Sequence, residues 1–377
     1  MQQRRTSSSH RHPGGGPRST RPEDGRRQNL ALVLQSLQNE PQLSRADLAR
    51  RTGLTRVTIS DLVAQLISDE LVVETGTTTG ARPGKPATML SVRDDGRDII
   101  ALDLAAPRII SGGVFGLRGE PRHLAQRDLG TSTGEDAYTA VLDLARELIG
   151  ATTRPVLGLG VGSPGTVDRR GTVIAAPNLG WQGLPLQQRL AEALDLPVHV
   201  ENDANVAVLA ERAFADGPAN LIRIQISRGV GAGLLIAGSV VTGTSAAAGE
   251  IGHVVIDYDG EPCSCGKNGC LETWLSVPSL RRRMAIGDPH EVLAEAGRRL
   301  GMALSPVVGM LDLNDIVIGG PAELVEGHLL DAAQQVVTER THSDFRGEVR
   351  LHLSSLGDDA VLRGAVALVR RIQLGVS

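Results

Sequence analysis

The 377-residue sequence contains no run of about 20 apolar residues, which excludes a membrane-spanning helix. Its first residues are polar and lack the short apolar core of a secretory signal, so a cytoplasmic protein is expected. No short tandem repeat of the solenoid kind is present. Lysine is nearly missing: only Lys85 and Lys267 occur, and arginine carries the remaining positive charge. Cysteine is scarce and crowded, with Cys263, Cys265 and Cys270 inside one short segment. An odd, clustered set in a cytoplasmic chain reads as metal ligands rather than disulfides.

Apolar residues make up 41% and charged residues 22%, enough for a real core and close to a globular average. The length allows two or three domains. The net charge of −4 hides an asymmetry. Residues 1–92 hold thirteen Lys and Arg against eight Asp and Glu, leaving the remaining residues acidic. A basic front on an acidic body points any nucleic-acid partner to the front.

Residues 1–25 are rich in Ser, Gly, Pro and Arg, and read as a disordered basic tail. From Arg26 the pattern changes. Leu30, Val33, Leu34 and Leu37 mark one helical face, which Pro41 closes. Ser44 caps a second short helix that Gly53 breaks, and Thr55 caps a third running to about Asp69. Counted from Arg45, small Ala49, Gly53 in the turn, and the seam of Leu48, Leu54, Ile59 and Leu62 fit a helix-turn-helix. The hydrogen-bonding residues Thr55, Arg56, Thr58, Ser60 and Gln65 would then face the major groove, with Arg56 touching base or phosphate. Asp47 and Asp61 read as solvated. Leu71–Thr75 and Ala87–Val92 form a hairpin whose tip carries Arg82 and Lys85, a wing for phosphates or the minor groove. Residues 26–92 are thus expected to be a winged helix-turn-helix DNA-binding domain.

From Arg93 onward strands alternate with helices, which implies an α/β architecture. Strands are expected at Ile99–Leu104, Ile109–Leu117, Val156–Gly162, Val198–Val200, Leu221–Ile226, Ala232–Ile236 and Asp315–Ile318. Helices are expected near Gly134–Ile149, Asp203–Ala215, His290–Met310, Ala322–Glu339 and Asp359–Ile372. Between these, His253 with Cys263, Cys265 and Cys270 makes a four-ligand tetrahedral set of the kind structural zinc requires, with glycines that allow a tight loop. A full Cys₃His shell leaves no open position for an activated water, so the zinc is read as structural.

Residues 93–377 resemble the ROK family of sugar kinases and transcriptional repressors. The resemblance rests on Gly249-Glu-Ile-Gly-His253, Cys263-Ser-Cys265-Gly-Lys-Asn-Gly-Cys270-Leu-Glu272, Gly162-Ser-Pro-Gly-Thr-Val-Asp168, Asn178-Leu-Gly-Trp181 and Glu201-Asn-Asp-Ala-Asn205. It implies an actin/hexokinase-like fold of two α/β lobes around a sugar cleft. It also implies that Asn202, Asp203, Glu250, His253 and Glu272 hold sugar hydroxyls, with Asn178 near the cleft. Carboxylates suit that task, because hydrogen bonds to charged acceptors are the stronger ones. His253 would bind zinc with one ring nitrogen and face the sugar with the other. In the kinases the residue matching Asp203 is the general base, and glycine-rich loops cradle the ATP phosphates. Here the first such loop reads Asp103-Leu-Ala-Ala-Pro107, without its glycines and threonine, and Pro107 has no N–H to donate. The second, Ser227-Arg-Gly-Val-Gly-Ala-Gly233, is partly kept, with Arg228 able to attract an anion. Gly319-Gly320-Pro321 departs from the third. The expectation is a sugar-responsive repressor, acting on operator DNA as a homodimer or higher homo-oligomer, with a monosaccharide or sugar phosphate as effector and a degraded ATP site. The alternative is a sugar kinase with a regulatory DNA-binding head, resting on Asp203 and the partial second loop. A zinc-dependent scaffold without a ligand would need none of the matching cleft residues.

Overall fold

A computed structural model describes residues 22–77, 87–343 and 347–376. The chain opens with α1 (Pro22–Asn39), β1 (Leu43–Ser44), α2 (Arg45–Thr52), α3 (Arg56–Ser68), β2 (Val72–Thr77) and β3 (Thr88–Val92). Helix α1 begins four residues inside the segment expected to be tail, because proline at a helix's first position lacks only an N–H that would have no partner there. Residues 1–21, and the wing tip with Arg82 and Lys85, lie outside the described residues.

Ser44 and Asp47 form a reciprocal capping box on α2, and Gly53 ends that helix at φ 72°. Asp47 is therefore a structural cap and not the solvated residue expected. Its carboxylate accepts from the Ser44 hydroxyl and N–H, which, with Arg50 nearby, holds its pKa below the usual value. Strands β1, β3 and β2 pair antiparallel in that order to complete the wing.

Two lobes follow, and each repeats one plan. In the first, β4 (Asp98–Asp103), β5 (Ile109–Phe115) and β6 (Pro121–Asp128) form an antiparallel meander. Helix α4 (Gly134–Gly150) leads to β7 (Val156–Ser163), which pairs parallel with β4. A small sheet of β8 (Thr166–Val167), β9 (Val173–Ala176) and β10 (Trp181–Leu184) precedes α5 (Leu186–Leu194) and β11 (Val198–Asn202), which is parallel to β7. Helix α6 (Asp203–Phe214) then crosses to the second lobe. There β12 (Leu221–Ile226), β13 (Val230–Ile236) and β14 (Ser239–Val240) form the second meander. Helices α7 (Glu272–Leu275), α8 (Val277–Met284) and α9 (Pro289–Leu311) lead to β15 (Asp315–Gly319). After α10 (Ala322–Val325) and α11 (His328–Thr341) comes β16 (Arg350–Leu353), parallel to β15, and α12 (Ala360–Leu374) closes the chain. The single helix expected over Ala322–Glu339 is two, because the backbone turns at Gly327 with φ 76°.

The sheet orders β6-β5-β4-β7-β11 and β14-β13-β12-β15-β16 show the same plan used twice. Each lobe has its own apolar core. A third core joins Val33, Leu37, Ile59 and Leu66 of the head to Ile99 and Phe115 of the first lobe and Leu362 and Val366 of α12. Head and first lobe therefore share buried surface. At the same junction Arg370, buried in α12, donates to Gln38 Oε1 of α1 at 2.7 Å.

Candidate functional site

Strands β4, β7 and β11 run parallel, so their C-terminal ends share one edge, where open α/β sheets hold ligands. Asp103 pairs there with Gly162, and Asn202 with Ser163. Asn202 is fixed on all sides. Its Oδ1 accepts from Asn205 N–H at 3.1 Å as the cap of α6, and its Nδ2 donates to Gly165 O at 2.8 Å and Asp203 Oδ1 at 2.9 Å. Asp203 also accepts from Ala204 N–H at 2.8 Å. Burial, reinforced by the Glu250 charge, pushes its carboxyl up to about 6. Asp103, in sequence the remnant of a phosphate loop, belongs to the same cluster. Burial first, then the charges of Asp203 and Asp358, push it up to about 7.

The segment carrying Glu250 and His253 lies flat on β13. A side chain at Gly249 would meet Ala232 O at 2.0 Å, and one at Gly252 would meet Val230 O at 2.1 Å. Only glycine permits that approach. Glu250 is exposed and lies 3.9 Å from His253 Nε2, while His253 Nδ1 faces Cys263 Sγ at 3.6 Å. The imidazole thus has one nitrogen toward the sulfurs and one toward the carboxylate. Glu272 opens α7, which is anchored by Trp274 between the guanidinium groups of Arg283 and Arg299 at 3.7 and 3.8 Å. Its Oε2 accepts from Val230 N–H at 3.0 Å at the start of β13. Asn178 is exposed in a 3₁₀ turn after β9.

At each of the two phosphate-loop positions one backbone donor is taken by one of the protein's own carboxylates. In the first, Ala105 N–H donates to Asp103 Oδ1 at 2.8 Å. In the second, Val230 N–H donates to Glu272. Near the third, Gly319 lies against Arg223, whose buried guanidinium pairs with Glu211 at 3.0 Å and donates to Gln225 Oε1 at 2.7 Å. This buried ion pair leaves no local signal in the sequence. Arg228 is exposed. A separate concavity of about 640 Å³ between wing and first lobe is lined in part by Thr75, Arg93, Asp94, Arg122 and Arg154 and includes none of the cleft carboxylates.

The ligating atoms of His253, Cys263, Cys265 and Cys270 all lie within 4.8 Å of one another. Cys265 Sγ and Cys270 Sγ are 3.6 Å apart. A tetrahedral zinc would set sulfur–sulfur and sulfur–nitrogen distances of about 3.8 and 3.6 Å, so the cluster could hold such an ion. A tight turn, Cys263 N–H to Lys267 O at 2.8 Å and Gly266 N–H to Cys263 O at 3.0 Å, presents the sulfurs. Burial and the adjacent sulfurs push the Cys270 thiol up to about 12, which a bound cation would reverse.

On α3 the Thr55 hydroxyl accepts from Thr58 N–H at 3.2 Å and lies 2.9 Å from the Thr58 hydroxyl. The Ser60 hydroxyl donates to Arg56 O at 2.9 Å. Gln65 accepts from Arg26 Nε and Nη2 at 3.0 and 2.7 Å. Arg56 is exposed, and its guanidinium has no partner among the described residues.

A helix-turn-helix with a wing, joined to two like-built lobes around a carboxylate-lined edge, defines the class: an actin/hexokinase-like domain carrying a DNA-binding type of head. The ROK family profile matches residues 101–372, and a winged helix-turn-helix DNA-binding profile matches residues 28–73. The chain belongs to the ROK family. It is 27% identical over 384 residues to the xylose repressor of Caldicellulosiruptor bescii, covering 90% of this chain and 95% of that one. Its fold is similar to that of a ROK family transcriptional regulator, a homologue of the E. coli MLC protein, with TM-score 0.82 and 24% identity over 93% of this chain and 97% of that one. A ROK glucokinase from Streptomyces griseus, solved with glucose and AMPPNP, matches with TM-score 0.62 and 25% identity over 73% of this chain and 99% of that one. Among the described residues no helix is long and apolar enough to cross a membrane.

Proposed function

We propose that the chain is a cytoplasmic, sugar-responsive transcriptional repressor and not an enzyme. One observation carries this reading: the sugar-type carboxylates stand in place, while the first phosphate loop has lost its glycines, its threonine and the N–H at Pro107, and one donor of each loop, Ala105 N–H and Val230 N–H, is taken by Asp103 and Glu272. Asn202, Asp203, Glu250, His253 and Glu272 would hold the hydroxyls of a monosaccharide or sugar phosphate. His253, Cys263, Cys265 and Cys270 would hold zinc, which supplies a fixed loop and no open coordination position. Thr55, Arg56, Thr58, Ser60, Arg82 and Lys85 would meet operator DNA. Because head and first lobe share a core, a sugar that rearranges the lobes would re-aim the head. A homodimer would set two recognition helices about one DNA turn apart.

The test begins with a melting screen of full-length protein against monosaccharides and their phosphates, since a native-state ligand raises the melting temperature. The sugar that does so is then added to a duplex selected by the protein from a randomised pool. Linkage requires that sugar weaken duplex binding by the same factor as duplex weakens sugar binding. A sugar that binds tightly and leaves duplex affinity unchanged would refute the repressor reading.

The kinase reading keeps one specific support: Asp203, pushed up to about 6, is poised as a general base. Incubation with ATP, magnesium and a sugar panel separates the two. No sugar phosphate is expected, and sustained turnover would establish the kinase.

A further inference from the structure

Helix α3 has two sides. Ile59, Leu62, Val63 and Leu66 are buried against α1, α2 and the wing. Arg56, Val57, Ser60, Asp61 and Ala64 are exposed, and at about 100° per residue they form the opposite stripe. The hydroxyls of Thr55, Thr58 and Ser60 bond within the helix, and Gln65 is held by Arg26. The outward stripe therefore begins with the free guanidinium of Arg56 and with Val57, which is 72% exposed. A β-branched residue gains nothing for the helix at such a position, since its restricted side chain lowers helix propensity. It also buries little apolar surface within the chain.

The apolar group that a DNA major groove displays is the 5-methyl of thymine. In a helix-turn-helix the N-terminal residues of the second helix lie nearest the base edges, and Val57 is the second residue of α3. We propose that Val57 is a base-reading residue, packing its methyl groups on a thymine 5-methyl beside the position reached by Arg56. The inference rests on the DNA-binding reading above, and adds to it one thymine that each operator half-site must contain.

The experiment uses full-length protein and a duplex it selects from a randomised pool in dilute salt, where phosphate contacts are strongest. Each thymine of that duplex is replaced in turn by deoxyuridine, which removes one methyl group and no hydrogen bond. One position per half-site is expected to weaken binding about fourfold, the factor for burying a methyl. Val57→Ser, which has nearly the helix propensity of valine, should bind the thymine duplex more weakly by a similar factor. It should also be indifferent to deoxyuridine at that position while melting like the parent protein. The proposal is overturned if no thymine position matters, or if Val57→Ser stays as sensitive as the parent. If no duplex is enriched at all, the DNA-binding reading itself fails, an outcome distinct from either.

Discussion

Asp103→Asn removes a charge whose burial works against the fold. Asp103 ends β4 in a half-buried position, and burial together with Asp203 and Asp358 raises its carboxyl from 3.8 to about 7. The Ala105 N–H at 2.8 Å acts in the opposite direction but does not offset burial. Since the folded pKa lies above the unfolded one, folding favours the protonated form. The stability this gives is complete below the unfolded value of 3.8, falls as pH rises toward about 7, and is gone above it. At about 1.4 kcal/mol per pKa unit the whole loss is about 4 kcal/mol, an upper figure because water reaches a half-buried group. Asparagine keeps the carbonyl oxygen that accepts from Ala105 and carries no charge. Urea unfolding of parent and variant at several pH values reads the difference directly. The variant should be more stable by roughly 2–4 kcal/mol near pH 8, with the gain shrinking toward zero near pH 4. Equal stability near pH 8, or a difference independent of pH, would show that the Asp103 carboxylate is well solvated and that the crowding argument is wrong.

Cys265→Ser should abolish zinc binding and the sugar response together; unchanged zinc content by metal analysis would refute the ligand set. Arg56→Ala should weaken duplex binding by about tenfold and lower the salt slope by about one, with sugar affinity unchanged. Loss of both activities would show that Arg56 supports the fold instead. Gly364→Ala should destabilise the protein by at least about 2 kcal/mol, since overpacking has that scale. The added methyl would meet Val206 O of α6 at 1.9 Å, where α12 crosses it. A variant as stable as the parent in urea would mean that α12 can draw back from α6.

The head was legible in the sequence because its signals are local. Leu30, Val33, Leu34 and Leu37 repeat at the helical period, Ser44 and Thr55 stand at N-caps, and Gly53 takes the turn. The strand positions of both lobes were also legible, as short apolar runs between turn residues. Their pairing was not, because the parallel contacts of β4, β7 and β11 join segments far apart in sequence. The small sheet of β8 to β10 was missed for a different reason: its strands are two to four residues long, too short for alternation to show.

Charge is where one-dimensional reading failed most. Arg223 and Glu211 look like surface residues, since arginine and glutamate are almost never fully buried unless paired, and pairing is invisible before folding. Asp47 looks solvated until the reciprocal bond to Ser44 is seen three residues back. For Val57 the helical phase decides. A valine inside a helix with buried Ile59, Leu62 and Val63 invites assignment to the core, and only its angular phase against those residues turns it outward. In the cleft, residues matching a family motif could be named, yet Asp103 could not be placed with them. Its membership depends on the β4–β7 register, which sets Asp103 opposite Gly162 and within electrostatic reach of Asp203. With Asp103 holding Ala105 N–H, an incoming phosphate would find that donor taken.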